Sequence, residues 1–362
     1  MSDIDALFQP IEIGGKPLAN RVWMAPLTRN RAHPDGTPHE MAVEYYRQRA
    51  SAGLIVTEAT QISAEGKGYI NTPGIHTDAH VAGWRKITDA VHSAGGSIWL
   101  QLWHVGRISH TSLQPEGRAP VAPSAIRANA QTFIDGMVDV SEPRALATDE
   151  LSRLVVDFRA AAERAKLAGF DGVEVHAANG YLLDQFLQDR TNTRTDGYGG
   201  TIEARLRLPL AVIDAVADVW GSERVGVRLS PFGRFNDMGD SDPEAHFSEV
   251  YRALDGRGLA FLHVVEKFPG IEAGSDEAAA LDRMRGLWSG TYVANGDFDR
   301  ARAADWIARG RADAVTFGRP FISNPDLPAR LRQGAQLTPP DHTTFYGGDT
   351  RGYTDYPFLD AA

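Results

Sequence analysis

The sequence predicts a single (β/α)8 barrel, one domain over residues 1–362, and three observations carry that prediction. Eight short, β-rich apolar runs recur along the chain, helical patterns alternate with them, and several of the helices stop at a glycine. Near-continuous apolar runs suit strands buried on both faces, the condition of parallel sheets. A strand followed by a helix, repeated eight times, is the pattern of a barrel. A doubly wound sheet is the competing architecture, weakened because no Gly-x-Gly-x-x-Gly turn follows an early strand.

The units run in order. Arg21–Thr28 precedes the helical pattern His39–Ala52, and Leu54–Thr60 precedes Ala79–Ala94. Ser97–Trp103 is separated from its helix, Asp149–Ala168, by an excursion. Gly172–Ala178 leads to Ile202–Trp220, Val225–Pro231 to Pro243–Arg257, and Phe261–Glu266 to Asp276–Gly286. Thr291–Gly296 leads to Asp297–Arg309, and Ala314–Arg319 to Asp326–Gln333. Gly53, Gly95, Gly169, Gly221 and Gly310 fall where a helix ends in a left-handed residue. Thr148 with Asp149 and Glu150 reads as an N-cap with an acidic first turn. Trp23, Trp99 and the Tyr45-Tyr46 pair are assigned to packing.

The excursion, about residues 105–147, is too long for a simple strand-to-helix loop. It carries Pro120, Pro123 and Pro143 and the pattern Thr132-Phe-Ile-Asp135-Gly136-Met-Val-Asp-Val140. Asp-Gly between β-prone runs signals a two-residue hairpin. The segment is read as a cap over the barrel mouth, against the alternative of a decorative surface hairpin.

Composition narrows function. With 43% hydrophobic and 23% charged residues, the chain is ordinary for a globular protein. Its net charge of -10 and lack of a basic run argue against nucleic acid or an anionic membrane surface as partner. There is no cysteine, so thiolate nucleophiles and cysteine-held clusters are excluded. No metal site is expected. No signal-like or membrane-spanning run appears, and a cytoplasmic location and a monomer or small homo-oligomer are expected.

Active sites of such barrels lie at the C-terminal ends of the strands. The ends here offer Ala25-Pro26-Leu27-Thr28-Arg29, Thr57-Glu58-Ala59-Thr60, Gln101-Leu102-Trp103-His104, Arg228-Leu229-Ser230, Asn295-Gly296 and Gly318-Arg319. The fourth strand ends in His176-Ala-Ala-Asn179-Gly180-Tyr181, an imidazole and a carboxamide that could hold a polarised oxygen beside a phenol that could give a proton. Asn295-Gly296 and Gly318-Arg319 stand where such barrels bind phosphate. Arg228 and Gln101 are polar residues inside apolar strands. Arg228 is either half of an internal ion pair or a cation aimed at a ligand that gains negative charge.

Seven segments then bring a family into view. They are Asn20–Arg29, Ala52–Ala59, Gln101–Arg107, Gly169–Leu182, Asp196–Gly200, Phe317–Leu327 and Gly352–Pro357. In this order the chain resembles the Old Yellow Enzyme family of FMN-dependent ene-reductases, closest to the bacterial branch containing N-ethylmaleimide and pentaerythritol tetranitrate reductases. The resemblance implies bound FMN, NADPH or NADH as hydride donor, and an activated alkene or nitro compound as substrate. It implies that Pro26, Leu27, Thr28 and Ala59 meet the flavin ring and that Gln101 and Arg228 meet its pyrimidine end. Asn295, Gly296, Gly318 and Arg319 would hold the phosphate. His176 and Asn179 would clamp the substrate oxygen, Tyr181 would give the proton, and Tyr69, Trp103 and Tyr346 would line the pocket.

Some relatives have a second histidine where this chain has Asn179. Both residues donate to an oxygen, but Asn cannot become cationic. The alternatives within reach of these residues are reduction chiefly of nitrate esters or nitroaromatics, a non-catalytic flavin-binding protein, and a phosphate-binding barrel lyase or isomerase without flavin. Tyr181 argues against mere binding, which needs no proton donor.

Overall fold

A computed structural model describes residues 3–267 and 274–359. Eight parallel strands close on themselves: β1 Val22–Met24, β2 Ile55–Val56, β3 Ile98–Trp103, β4 Gly172–His176, β5 Val225–Leu229, β6 Phe261–Val265, β7 Tyr292–Asn295 and β8 Ala314–Phe317. Neighbours pair in sequence order. β8 pairs with β1, and the β3–β4 pairing completes the ring. After β2 a short strand, Thr60–Gln61, rejoins β3. The helices that follow the strands around the barrel are α1 Met41–Gln48, α2 Asp78–Ser93, α3 Leu151–Leu167, α4 Ile202–Trp220, α5 Pro243–Asp255, α6 Asp276–Arg285, α7 Arg300–Ala308 and α8 Leu327–Gln333, with shorter helical turns at Asp3–Ala6, Leu182–Leu187 and Arg319–Ser323. No described helix is long and apolar enough to cross a membrane.

Every residue of β3 to β6 and of β8 is buried, which is why they read as largely apolar runs. The barrel is plugged at its N-terminal end by aromatics. Trp23 and Phe261 meet edge to face at 5.4 Å, and Trp99 lies 5.2 Å from the same ring. Gly172 and Gly226 make room for this plug, since a Cβ there would sit 2.5 Å from Trp99 and 2.2 Å from Phe261. A small hairpin, Ile11–Ile13 with Lys16–Leu18, adds Ile13 and Leu18 to the plug. With apolar bulk at the bottom, the upper interior is left to polar side chains.

Several local expectations are corrected. Gly95, Gly169, Gly221 and Gly310 have positive φ, but Gly53 does not. Gly53 is required by crowding, because a Cβ would stand 2.0 Å from the Asn20 carbonyl oxygen. Thr148 is not an N-cap. Its hydroxyl donates to Asp196 at 2.5 Å, while Glu150 accepts from the Ala147 N–H at 2.8 Å and pairs with Arg144. α7 starts at Arg300, later than Asp297, because the Asp299 side chain accepts from the Arg302 N–H and caps it. The Asp135-Gly136 connection is a three-residue loop, 134–136, between Gln131–Phe133 and Met137–Asp139. That hairpin is seated on the loop after β2 by Ile70 N–H to Phe133 O at 3.0 Å and by the Thr132 hydroxyl to Gly68 O. The excursion therefore reaches the barrel mouth.

Candidate active site

Two adjoining cavities open at the C-terminal ends of the strands. One, about 420 Å³, is lined by Pro26, Leu27, Thr28, Tyr69, Tyr181 and Ile322 within, and by Met137, Phe235, Phe345 and Tyr346 towards its rim. The other, about 550 Å³, is lined by Leu27, Asn295, Gly296, Thr316, Gly318 and Arg319. Leu27 and Arg319 border both. Together they form an elongated cleft, with an apolar compartment at one end and glycine turns at the other.

β4 carries the reactive cluster. His176 is its last residue and is buried, and the Tyr181 ring meets it edge-on at 5.1 Å. The Ala178 N–H donates to His176 Nδ1 at 3.3 Å. Nδ1 is thus an acceptor, and the ring proton sits on Nε2. Burial, then the nearby Arg228 and His263, hold the imidazole well below its usual pKa, so it is a neutral donor. Asn179 adopts φ 58, a conformation Asn tolerates. Its backbone is pinned by N–H to Ser230 Oγ at 2.7 Å and by its carbonyl, which accepts from Asn236 Nδ2 at 2.9 Å. Its carboxamide makes no hydrogen bond to another described residue. The Gly180 N–H donates to Asp184 at 2.8 Å, which fixes the turn before Tyr181.

Tyr181 and Tyr69 share a hydrogen bond between their hydroxyls, 3.2 Å apart. Burial raises the Tyr181 pKa and pushes Tyr69 well above the phenol range, so both keep their protons. Trp103 is fully buried. It stacks behind Tyr69 at 5.8 Å and meets Tyr181 edge-on at 5.0 Å, so it supports the pocket from one layer back. Ala59 lies in the same buried cluster. Tyr346 is 60% exposed at the rim.

Gln101 and Arg228 point into the upper barrel. The Gln101 amide donates to Glu174 Oε1 at 2.7 Å. Arg228 donates to Asn295 Oδ1 at 3.0 Å, and its Nε is buried without a partner. No carboxylate lies in ion-pairing distance of Arg228 among the described residues, so the internal ion pair that the strand position left open is not formed. An orphaned cationic donor beside a cleft suits an electron-rich ring edge. At the glycine-walled end of the cleft Gly296 adopts φ 150, and a Cβ there would stand 2.8 Å from the Lys267 amide nitrogen. Asn295 is held by protein on both sides of its amide, its Nδ2 donating to Thr316 O at 3.2 Å and its Oδ1 accepting from Arg228, which leaves one N–H free at the cleft. Beside it stand the backbone of Gly296 and Gly318 and the Arg319 guanidinium, itself paired with Asp297.

For several residues the strand-end reading supplied no role. Arg29 is fully buried and donates to the carbonyls of Phe345 at 2.9 Å and Gly352 at 2.8 Å. Arg31 donates to Thr344 O at 3.0 Å. These two hold the C-terminal segment that brings Phe345 and Tyr346 to the mouth. Arg107 donates to Asp237 O at 2.8 Å and anchors the loop bearing Phe235 and Asn236. Glu174, His263 and Thr316 continue the hydrogen bonds of Gln101 across the barrel interior.

The chain matches the model of the NADH:flavin oxidoreductase / NADH oxidase family over residues 6–338. It is 43% identical to flavin oxidoreductase hxnT of Emericella nidulans, covering 99% of both chains. It is 46% identical to 12-oxophytodienoate reductase 1 of Oryza sativa subsp. japonica, covering 98% of this chain and 93% of that one. Among solved structures, morphinone reductase in complex with tetrahydroNAD superposes with a TM-score of 0.94 at 53% identity, covering 98% of each chain. An Old Yellow Enzyme homologue from Zymomonas mobilis superposes with a TM-score of 0.93 at 45% identity, covering 98% and 99%.

Proposed function

Because the chain belongs to the NADH:flavin oxidoreductase / NADH oxidase family, the Old Yellow Enzyme family of its motifs, and is an FMN-dependent oxidoreductase, we propose that it reduces activated alkenes: enones, maleimides and nitroalkenes. Within the family we assign it to the bacterial branch of N-ethylmaleimide and pentaerythritol tetranitrate reductases, on the motifs quoted above. The observation that carries the proposal is the neutral His176, free Asn179 carboxamide and protonated Tyr181 gathered at the end of one strand beside the cleft.

Bound in this cleft, FMN supplies hydride, taken from NADPH or NADH and passed to the β-carbon of the alkene. Pro26, Leu27, Thr28 and Ala59 would hold its ring, Gln101 and Arg228 its pyrimidine edge, and Asn295, Gly296, Gly318 and Arg319 its phosphate. The fit rests on the unpartnered Arg228 Nε and on the glycine-walled end of the cleft. His176 Nε2–H and the Asn179 amide bind the substrate's carbonyl or nitro oxygen and stabilise the charge it gains. Tyr181 Oη delivers the proton to the α-carbon, so hydride and proton together saturate the double bond. Tyr69 fixes the Tyr181 hydroxyl, and Met137, Phe235 and Tyr346 give the substrate's carbon skeleton an apolar rim.

The test is spectroscopic. The purified protein is yellow, a nicotinamide bleaches it under anaerobic conditions, and cyclohexenone restores the colour. A colourless protein that cannot be reconstituted with FMN refutes the reading. A flavin that is bleached but never reoxidised by any activated alkene refutes the substrate class.

A further inference from the structure

The upper barrel holds a chain of hydrogen bonds that the chemistry at the mouth does not use. Gln101 Nε2–H donates to Glu174 Oε1 at 2.7 Å. Glu174 Oε2 lies 2.7 Å from His263 Nδ1, and His263 Nε2 lies 2.9 Å from Thr316 Oγ1. The Thr316 carbonyl accepts from Asn295 Nδ2 at 3.2 Å, and Asn295 Oδ1 accepts from Arg228 at 3.0 Å. The strand register sets this up, with Gln101 opposite Glu174, Arg228 opposite His263, and Asn295 opposite Thr316. Glu174 and His263 are completely buried.

A carboxylate and a histidine in a barrel core are a poor stabilising device. Apolar packing of the same volume is usually as good or better, because ions lose their hydration on burial. Their worth lies in what they orient. A carboxylate only accepts, so His263 carries its proton on Nδ1 and takes the Thr316 hydroxyl proton at Nε2. Glu174 likewise fixes which side of the Gln101 amide bears nitrogen. An amide free to flip would present either its oxygen or its NH2 to the cleft, whereas this one cannot. Beyond Thr316 the contacts pass to its backbone carbonyl, which the strand itself fixes, so the orienting effect of the pair falls on Gln101.

We propose that Glu174 and His263 are positioning residues for the flavin: they lock Gln101 in the orientation that receives its pyrimidine edge, and the Glu174 charge holds down its reduction potential. The inference rests on the assignment of Gln101 and Arg228 to that edge. Neither residue touches a reacting atom.

The test compares wild type, Glu174→Gln, His263→Leu and His263→Asn, each reconstituted with FMN. Readouts are the FMN dissociation constant from fluorescence quenching and the flavin midpoint potential from spectroscopic titration. E174Q keeps the volume and loses the charge. Its FMN affinity falls about tenfold, the scale of one lost charge-assisted hydrogen bond, and its potential rises. H263L weakens FMN similarly, while H263N, whose amide can still donate to Glu174, recovers most of the affinity. Folded E174Q with wild-type affinity and potential overturns the proposal, even if its melting temperature has dropped, because the pair would then be core filling. Should E174Q fail to fold, equal affinities in H263L and H263N overturn it. A wild-type protein that takes up no FMN sinks the underlying assignment as well. Uptake by wild type with unmoved variants sinks this inference alone.

Discussion

The hydroxyl oxygens of Tyr69 and Tyr181 lie 3.2 Å apart, with the Trp103 ring packed against both. The hydrogen bond gives Tyr181 a fixed direction for its proton, and burial keeps that proton in place. Tyr181→Phe should slow reoxidation of the reduced protein by an enone by about a hundredfold, the usual scale of a lost general acid, with reduction by nicotinamide unchanged. Tyr69→Phe should cost less, since it removes the partner and not the donor. Stopped-flow measurement of the two half-reactions separates these outcomes. Wild-type reoxidation in Tyr181→Phe would remove the residue from the chemistry.

His176 should behave as a neutral donor throughout the working range. Burial, then the neighbouring Arg228 and His263, depress its pKa well below the usual 6.5, so it carries no charge near neutral pH. Asn179 has no ionisation, and Tyr181 titrates only above its ordinary 10.0. His176 should therefore add no inflection of its own to the alkene-dependent half-reaction between about pH 6.5 and 9, where an unburied histidine would give one. His176→Ala should raise the barrier by about 3 kcal/mol, the typical worth of one oxyanion donor. An inflection near pH 6.5 that disappears in His176→Ala would show a titrating imidazole.

How much of this was legible in the sequence follows from the range of the forces involved. The barrel was legible because strands buried on both faces leave a local signature, an apolar run such as Gly172–Ala178. The site residues at strand ends were legible because a barrel puts its chemistry there. The rim was not. Phe235 and Met137 reach the mouth through contacts between distant segments, Arg107 to Asp237 and Thr132 to Gly68, which no local pattern encodes. Glu174 and His263 are an intermediate case. The rule that singles out Arg228 and Gln101, a polar residue in an apolar strand, applies equally to them. Only the strand register shows that they meet.

Gly296 and Gly318 should respond differently to alanine. Gly296 sits at φ 150, with its missing Cβ 2.8 Å from a backbone nitrogen. Gly296→Ala should cost about 1–3 kcal/mol of stability as well as FMN affinity, because the turn itself must shift. Gly318 has φ -92, and its Cβ would find only Leu27 Cδ2 at 3.4 Å. Gly318→Ala should leave the melting temperature of the FMN-free protein near wild type. If it still weakens FMN, the glycine is there for close approach of the phosphate. If both variants bind FMN as wild type does, the phosphate lies elsewhere.

Asp184 should make the motif loop sensitive to pH. It is buried at the base of that loop, where it accepts from the Gly180 N–H at 2.8 Å and Gln188 Nε2 at 2.7 Å. Burial lifts its pKa from 3.8 to about 7, a rise that these donors and the Ser230 hydroxyl only partly oppose. For an acid with a raised folded-state pKa, the native protein binds the extra proton between the two values. Stability from this group therefore falls as pH climbs from about 4 to 7, and the loss is complete above 7. The slope is on the order of 1 kcal/mol per pH unit within that window. Asp184→Asn removes the ionisation, so its melting temperature should gain on wild type as pH rises from 5 to 7 and run parallel beyond. The comparison cancels the buried histidines, His76 among them with its pKa near 4, whose contributions run the opposite way in both proteins. Glu58, raised to about 7 by burial, remains in both and leaves the variant with a residual fall. A constant offset between the two melting curves across this range would mean that Asp184 is ionised throughout, held so by its hydrogen-bond donors.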